Sequence, residues 1–193
     1  QAILPTPVVG GLGVLDDLTK AVGLALPGAG LALVLVGQGD GHLGCSAFMR
    51  DVMGRTGWLA GPPPPVDLAA EKRNGDLVRG LVEQGAVAAC HDISDGGLLV
   101  AVAEMAMAGN VGADLTIDAT SAGALFGEDQ GCYLLASADP ATVLGAAADA
   151  GVPAVVIGAT GGHALTLNGN NPISVQDLRS AHEGWLPAFA DAL

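Results

Sequence analysis

Apolar and polar positions change along the chain in two rhythms, one typical of strands and one typical of helices. Residues 31–37 (LALVLVG) are continuously apolar, as expected of a strand that is buried on both faces. Further apolar or alternating runs predict strands at 8–15, 86–90, 113–118, 132–137, 154–160 and 163–168. Gly161 and Gly162 separate the last two runs, so we expect a hairpin there.

Two predicted helices begin at aspartates that can cap them. Asp67 precedes a helix expected to end at about Gln84, and Asp139 precedes one that starts with Pro140 and ends at about Ala150. The exposed face of the first helix carries two charge pairs with residues four apart, Lys72–Asp76 and Arg79–Glu83.

Three other segments also have helical character. A short helix is expected around 45–53, and Ser174 and Asp177 have the spacing of a capping box that opens the last helix. After Gly97, one helical face collects the apolar residues Leu98, Val102, Met105 and Ala106. Strands and helices intermixed in this way predict an α/β or α+β domain, with a mixed sheet covered by helices.

Composition narrows the possible partners. The 193 residues are 50% apolar but only 3% aromatic, so the core must consist mainly of Ala, Val, Leu and Ile. The net charge of -13 argues against nucleic acid as a partner, because an acidic surface repels phosphate backbones. The most apolar stretch, 24–37, is broken by Pro27, Gly28 and Gly30 and is shorter than the roughly 20 residues of a membrane span, so no membrane partner is expected.

The cysteines indicate a reducing compartment. Cys45, Cys90 and Cys132 are odd in number and lack CxxC spacing, so we expect reduced, mostly buried thiols in a cytoplasmic protein and no zinc site. The chain opens with Gln1 and runs directly into AILPTPVVGG, which suggests a piece of a longer polypeptide.

The stretch CHDISDGG (90–97) is the first candidate site. Asp92 and Asp95 flank Ser94, and Gly96 and Gly97 lead into a helix. A helix N-terminus attracts anions, and the two carboxylates could hold Mg²⁺ that clamps phosphate oxygens. In the alternative interpretation, Ser94 or Asp95 is only the helix cap and the glycines only serve the turn.

Two further loops could carry chemistry. FGEDQG (126–131) offers Glu128, Asp129 and Gln130, which could bind a metal or a sugar hydroxyl or could form a solvated loop. GQGDGHLG (37–44) could be a phosphate-facing turn or a plain connection, since it matches neither a Walker loop nor GxGxxG.

The histidines do not complete a catalytic group. His91 follows a predicted strand and is expected to be a core residue, and His163 and His182 are expected to be structural. Because neither a Ser-His-Asp nor a Cys-His arrangement follows from the spacing, we assign no catalytic residue.

Six segments together resemble one family. They are LPTPVVGGLGVLDD, GQGDGHLGCSAFMRD, PPPVDLAAEKRNGDLVRGLV, CHDISDGGLLVAVAEMAMAG, LFGEDQG and AHEGWLP. In this order they resemble the synthetase subunit of phosphoribosylformylglycinamidine synthase, and most of all the carboxy-terminal end of its small bacterial type. The corner HDISDGG alone is similar in the wider superfamily of aminoimidazole ribonucleotide synthetase, selenophosphate synthetase and thiamine-monophosphate kinase.

The resemblance implies a place in a larger enzyme. Residues 1–30 would be the tail of a preceding amino-terminal lobe, and 31–193 the carboxy-terminal lobe, with a fold like the carboxy-terminal domain of aminoimidazole ribonucleotide synthetase. The family is an ATP-dependent ligase that converts formylglycinamide ribonucleotide and glutamine-derived ammonia to formylglycinamidine ribonucleotide in purine biosynthesis. The expected partners are the missing lobes of the same polypeptide, a glutaminase subunit, a small accessory subunit and, as a homo-oligomer, further copies of this chain.

The resemblance also implies site residues, by internal symmetry between the two halves of the family. Mg²⁺ would be held by Asp92, Asp95 and Glu128. ATP or ADP would be contacted by Ser94, Gly96, Gly97 and Gln130. The family's catalytic histidines lie in segments outside this chain, so the chain alone is expected to be inactive.

The chain departs from the family pattern at positions that weaken the case for anion binding. Gln38 and Asp40 stand in a loop where the family commonly has a GET-like start. Cys45 replaces a glutamine or glycine, and Cys132 stands where an arginine is common.

Two alternative functions follow. The chain could be a non-catalytic structural and docking lobe of the synthetase, or it could belong to another member of the superfamily. A lobe separated from its neighbours should also expose an apolar patch, expected along 8–15 and 31–37, and should therefore self-associate.

Overall fold

The computed structural model describes residues 9–118 and 120–191. Within these residues, seven strands form one mixed sheet in the order β2-β4-β1-β5-β3-β6-β7. Neighbouring strands are antiparallel except for the parallel pair β3–β6. The strands are β1 (Ala32–Val36), β2 (Ala89–Asp92), β3 (Ala113–Leu115), β4 (Tyr133–Ser137), β5 (Ala154–Thr160), β6 (Ala164–Leu167) and β7 (Asn170–Ser174).

Helices occupy most of the connections between strands. The α-helices are α1 (Leu68–Glu83), α2 (Gly97–Gly109), α3 (Ala122–Phe126), α4 (Pro140–Asp149) and α5 (Val175–Asp191). Single turns of other helix types lie at Leu18–Lys20, Phe48–Val52 and Gly57–Ala60. The short helix expected around 45–53 is therefore the π-type turn Phe48–Val52.

The sheet separates two apolar cores. Successive side chains of a strand point to opposite faces, so Leu33 joins the core that contains α2 while Val34 and Val36 join the core that contains α1 and α4. Leu134 and Leu135 of β4 divide between the two cores in the same way. The predicted mixed sheet covered by helices is confirmed. The exposed patch expected along 31–37 is wrong, because helices cover both faces of β1.

The helix starts follow the sequence closely. The Asp67 carboxylate accepts hydrogen bonds from the backbone N–H of Ala69 and Ala70, and Ser174 Oγ accepts one from the N–H of Asp177 at 3.0 Å. Asp139 caps α4 through the N–H of Thr142, with Pro140 at the first helical position.

The charge pairs on α1 are confirmed in part. Lys72 pairs with Asp76 as expected. Arg79 lies 3.3 Å from the carboxylate of Asp76, one turn back along the helix, rather than pairing with Glu83. Asp76 therefore forms ion pairs with both Lys72 and Arg79.

The expected hairpin at Gly161 and Gly162 is wrong. β5 and β6 both pair with β3, which lies between them in the sheet. Gly161 N–H donates to the carbonyl of Gly112, and Gly112 N–H donates to the carbonyl of Gly162. The two glycines are therefore hydrogen-bonded to the residue that precedes β3. The hairpin is formed by β6 and β7 instead, and it turns at Asn168 and Gly169.

The strand expected at 8–15 is also wrong for the described residues 9–15, and Val8 lies outside them. Residues 9–15 form no strand, and Val9, Leu12 and Val14 are more than nine-tenths exposed. This segment pairs with nothing in the described part of the chain, so its apolar side chains are in water. The exposed patch expected here is confirmed.

Two further features concern the state of the cysteines and the length of the helices. All three cysteines are free; Cys132 is buried and Cys90 half-buried, but Cys45 is exposed. Among the described residues, no helix combines the length and apolar character needed to cross a lipid bilayer.

Candidate functional site

Three loops meet at one edge of the sheet and form the candidate site. β4 is antiparallel to both β1 and β2, and its first residue, Tyr133, is in register with Val36 and with Asp92. The ends of β1 and β2 and the beginning of β4 therefore lie side by side. This brings together the loops 37–44, 93–96 and 127–132, which contain all three sequence motifs.

Asp129 organises the first loop. Its carboxylate accepts hydrogen bonds from the backbone N–H of Asp40 (3.1 Å), Gly41 (2.9 Å) and His42 (3.1 Å). A Cβ at Gly39 would lie 2.5 Å from a carboxylate oxygen of Asp129, so a side chain there would force the Asp129 carboxylate to move. The loop 37–44 is thus wrapped around an internal anion.

Glu128 ties together two other segments. Its Oε1 accepts hydrogen bonds from the backbone N–H of Ala47 and of Gly96, both at 2.7 Å. Its own N–H donates to the carbonyl of His42 at 3.0 Å. Glu128 therefore links the start of α2 to the loop after β1.

Gly96 and Gly97 are required by conformation and by space. They have φ values of +84° and +74°, which residues with a side chain rarely adopt. A Cβ on Gly97 would lie 2.5 Å from the carbonyl carbon of Phe126, where the backbones of α2 and α3 approach each other. Gly96 is the N-cap of α2 and no side chain caps the helix, so the alternative with Ser94 or Asp95 as the cap is wrong.

A small polar pocket of about 160 Å³ holds three of the predicted ligand residues. Asp92, Ser94 and Gln130 line it, together with Glu71 and Tyr133. Oxygen atoms of carboxylates, hydroxyls and amides are ligands that Mg²⁺ accepts, so this lining fits the predicted cation. Sequence reasoning missed Glu71, because an acidic residue in the first turn of a helix is common.

Asp95 and Glu128 do not line this pocket. Both lie close enough to Arg50 for their charges to help raise the pKa of its guanidinium, although the main cause is the hydrogen bond to Asp51. Within residues 9–118 and 120–191, no three His, Cys, Asp or Glu side chains are grouped so that they could hold a metal ion. The metal role of Asp92, Asp95 and Glu128 stays a prediction, and so does the nucleotide role of Ser94, Gly96, Gly97 and Gln130.

A larger cavity of about 490 Å³ adjoins the polar pocket, with which it shares Ile93 and Cys132 in its lining. Its walls are mainly apolar side chains and glycine backbone; among them are Leu35, Ile93, Val155, Gly39, Gly41 and Gly123. Thr116, Asp118 and Asp129 supply the polar groups. The mouth includes β5, whose Val155 and Val156 are 52% and 40% exposed although the strand lies in the middle of the sheet.

Asn74 is a further residue that sequence reasoning missed. It is 5% exposed, and its Nδ2 donates to the carbonyl of Gly131 at 2.9 Å. The contact holds the end of the GEDQG loop against α1. A polar residue on the otherwise apolar face of a helix was the available signal.

Cys132 lies at the junction of the pocket and the cavity, but it is not activated. Burial, with smaller effects from Asp129 and Glu71, raises the pKa of its thiol to about 11. Since the thiolate is the nucleophilic form, Cys132 is inert at neutral pH.

His91 is half-buried and satisfied, as expected of a structural residue. Its Nδ1 lies 3.2 Å from Asp92 Oδ1, and its Nε2 lies 2.9 Å from Glu104 Oε2. His182 lies with it in a separate cleft between α2 and α5. His163 is exposed at the start of β6.

The amino-acid sequence is similar to those of known proteins. Residues 28–167 match the family described as AIR synthase related protein, C-terminal domain. The chain is 54% identical over 196 residues to phosphoribosylformylglycinamidine synthase subunit PurL of Rhodospirillum rubrum, covering 98% of this chain and 26% of that protein. The chain thus spans about a quarter of the length of the curated relatives it matches.

Solved structures of known proteins have a similar fold. T. maritima PurL complexed with FGAR is similar with a TM-score of 0.68 and 20% identity, over 83% of this chain and 30% of that chain. T. maritima PurL complexed with ATP has a TM-score of 0.64 and 19% identity, over 83% of this chain and 27% of that chain. At this identity the likeness shows the fold alone, and it agrees with the fold class predicted from the sequence.

Proposed function

Because this chain belongs to the AIR synthase related family through its C-terminal domain, we propose that it forms the carboxy-terminal lobe of a phosphoribosylformylglycinamidine synthase synthetase subunit. The observation that carries the proposal is the 54% identity to a PurL subunit over 98% of the chain. The chain covers 26% of that relative, so the activity belongs to a longer polypeptide. The boundary between residues 30 and 31 is part of this proposal.

The proposed reaction is that of an ATP-dependent C–N ligase. ATP phosphorylates the amide oxygen of formylglycinamide ribonucleotide, and ammonia derived from glutamine displaces the phosphate to give formylglycinamidine ribonucleotide, ADP and phosphate. The PurL structures bound to FGAR and to ATP support this substrate and this nucleotide. We further propose that the enzyme is cytoplasmic and that it works with a glutaminase subunit and a small accessory subunit.

Within this enzyme, the chain would act as framework rather than as the seat of chemistry. The Cys132 thiol is held protonated, and Glu128 and Asp129 accept hydrogen bonds from backbone N–H groups. Such groups position loops and helix ends, and they leave bond-making to residues of the other lobes. The isolated chain should accordingly show no ligase activity.

A chimera tests the proposal. The carboxy-terminal quarter of the R. rubrum PurL subunit would be replaced by this chain, and ADP release would be measured with formylglycinamide ribonucleotide, ATP and ammonia. We expect activity close to that of the unmodified subunit, because the two segments are 54% identical over almost the whole length of this chain. A chimera that folds and binds ATP but has no activity would contradict the proposal.

A second candidate function is a retained auxiliary magnesium–nucleotide site. The observation that favours it is the polar pocket in which Asp92, Ser94 and Gln130 come together. Asp92 would hold Mg²⁺, and Ser94 and Gln130 would contact phosphate oxygens. The ion would neutralise phosphate charge, which this acidic surface otherwise repels.

Calorimetric titration of MgADP and MgATP separates the two candidates. The double variant Asp92→Asn/Asp95→Asn is compared with Asp16→Asn/Asp149→Asn, which removes the same charge at exposed sites elsewhere. An auxiliary site predicts binding to the parent and to the control but not to the first variant. Absence of binding to the parent would leave the framework role as the function of this corner.

A further inference from the structure

The loop Gly39–His42 has the form of an anion-binding nest. Three successive N–H groups, those of Asp40, Gly41 and His42, converge on one carboxylate within 3.1 Å. Gly41 has a φ of +76°, which turns the backbone so that neighbouring N–H groups point inward. Converging backbone N–H groups of this kind also bind the oxygens of a phosphate.

Asp129 now fills this nest. Among the described residues it forms no ion pair with a lysine, arginine or histidine, so its charge is compensated by backbone dipoles. The carboxylate approaches Gly39 so closely that a Cβ there would lie 2.5 Å from its Oδ2. An internal side chain therefore stands where an external anion could bind.

The nest also opens on space that could receive a ligand. Gly39, Gly41 and Asp129 form part of the wall of the 490 Å³ cavity, which is in the size range of small-molecule sites. The cavity adjoins the polar pocket through Ile93 and Cys132, but Gly39, Gly41 and Asp129 line only the cavity, so the nest does not depend on the auxiliary site considered above. If the Asp129 carboxylate were moved or removed, a phosphate group could enter the nest from the cavity.

We propose that residues 39–42 form a phosphate-binding nest that Asp129 occupies as a built-in anion. The chain accepts a phosphate group in this nest only when the carboxylate is displaced. Asp129 thus closes the site and holds the loop in its binding conformation at the same time. The inference rests on the geometry of the chain and stands whether or not the proposed ligase activity is correct.

The test is NMR observation of the backbone amides of Asp40, Gly41 and His42 during titration with inorganic phosphate. In the unsubstituted protein, we expect these amides to show no saturable response. In Asp129→Ala they should show a saturable response, with an apparent Kd at least roughly tenfold below the highest phosphate concentration that leaves the unsubstituted protein unchanged, because the freed N–H groups gain a charged acceptor. A parallel titration with ribose 5-phosphate separates free phosphate from a phosphate ester, and a response to either one supports the nest.

Asp118→Ala is the matched control. Asp118 lines the same cavity and carries the same charge, but it accepts no hydrogen bond from the 39–42 loop. If Asp118→Ala gains phosphate binding as well, a general loss of negative charge explains the effect and the proposal is wrong. A folded Asp129→Ala whose amides ignore both ligands would also overturn it.

Two measurements keep the test independent of folding defects. Asp129→Ser leaves a short polar side chain without the carboxylate, and it replaces the alanine variant if that variant does not fold. In the unsubstituted protein, the amides of Gly41 and His42 should exchange slowly with solvent, since each donates to Asp129. Rapid exchange of both amides would show that the carboxylate does not occupy the nest.

Discussion

At the scale of single residues, the acidic residues and the glycines of the loops 92–97 and 127–131 have different structural roles. The glycines at 96 and 97 allow positive φ angles and the close approach of α2 to residues 126–127. The acids at 128 and 129 satisfy backbone N–H groups that the glycine-rich loops would otherwise leave unpaired. Asp92 contacts His91 through its Oδ1 and lines the polar pocket. Backbone conformation thus explains why residues 96 and 97 are glycines, and hydrogen bonding to backbone N–H groups explains why residues 128 and 129 are acidic.

Gly97→Ala should destabilise the fold by about 2–4 kcal/mol, because the substitution combines a positive φ with a backbone clash. Urea unfolding followed by circular dichroism measures the change. Gly145→Ala is the control, since Gly145 is exposed within α4 with nothing near its Cβ position, and it should stabilise by about 0.4–1 kcal/mol. Equal effects of the two substitutions would refute the steric explanation.

The buried thiols predict a loss of stability at alkaline pH. Burial raises the pKa of Cys90 and Cys132 from 9.0 to about 11. Because a raised folded-state pKa stabilises only while the thiol stays protonated, the free energy of unfolding should fall as the pH rises from 9.0 toward about 11.

Urea unfolding at several pH values in this window provides the measurement. Replacing Cys90 and Cys132 with serine should flatten the pH dependence, because serine does not ionise there. Cys45→Ser, at an exposed site, should keep it. A slope that survives loss of both buried thiols would assign it to other groups, such as Tyr133, whose pKa burial also raises.

At the scale of elements, local signals determined the helices better than the strand partners. The helix after Asp67 runs from Leu68 to Glu83, and its cap is the predicted one. The position of β3 between β5 and β6 has no local signal, since strand pairing joins segments distant in sequence. The glycines at 161 and 162 have the composition of a hairpin turn, yet they bond to Gly112.

Ser137 links three elements and offers a test at this scale. It is fully buried at the end of β4, where its Oγ donates to the carbonyl of Ala86 and accepts from the N–H of Asp139. Ser137→Ala should cost about 1–3 kcal/mol, because both backbone groups lose their partner in a dry environment. Thermal unfolding measures this cost, and the exposed Ser180→Ala should change stability by less than about 0.5 kcal/mol. A neutral Ser137→Ala would mean that water reaches the site.

At the scale of the whole molecule, a well-covered sheet coexists with unpaired apolar surface. The central strand β1 is covered on both faces, but residues 9–18 expose Leu12, Val14 and Leu18. A second apolar patch lies at the end of α5, where Trp185 stacks on Phe189 with ring centroids 5.2 Å apart. Exposed patches of this kind favour association with another surface.

The purified chain should therefore self-associate, mainly through residues 9–18. Replacing Leu12, Val14 and Leu18 with serine should weaken association, because these side chains make the segment apolar and are largely exposed. Sedimentation equilibrium over a range of concentrations measures the effect. The comparison variant Trp185→Ser/Phe189→Ser should change association less. The reverse order would assign the contact to α5.

The sequence by itself determined the fold class, the starts of the main helices, the buried central strand and the family. These features rest on local periodicity, on caps within a few residues, or on motif order, all of which are written along the chain. Only the tertiary structure decided that β3 separates β5 from β6, that Asp129 lies inside the loop 37–44, and that Glu128 meets Gly96. The physical reason is that each of these contacts joins segments tens of residues apart, so burial and backbone hydrogen bonding select them only once the sheet has assembled.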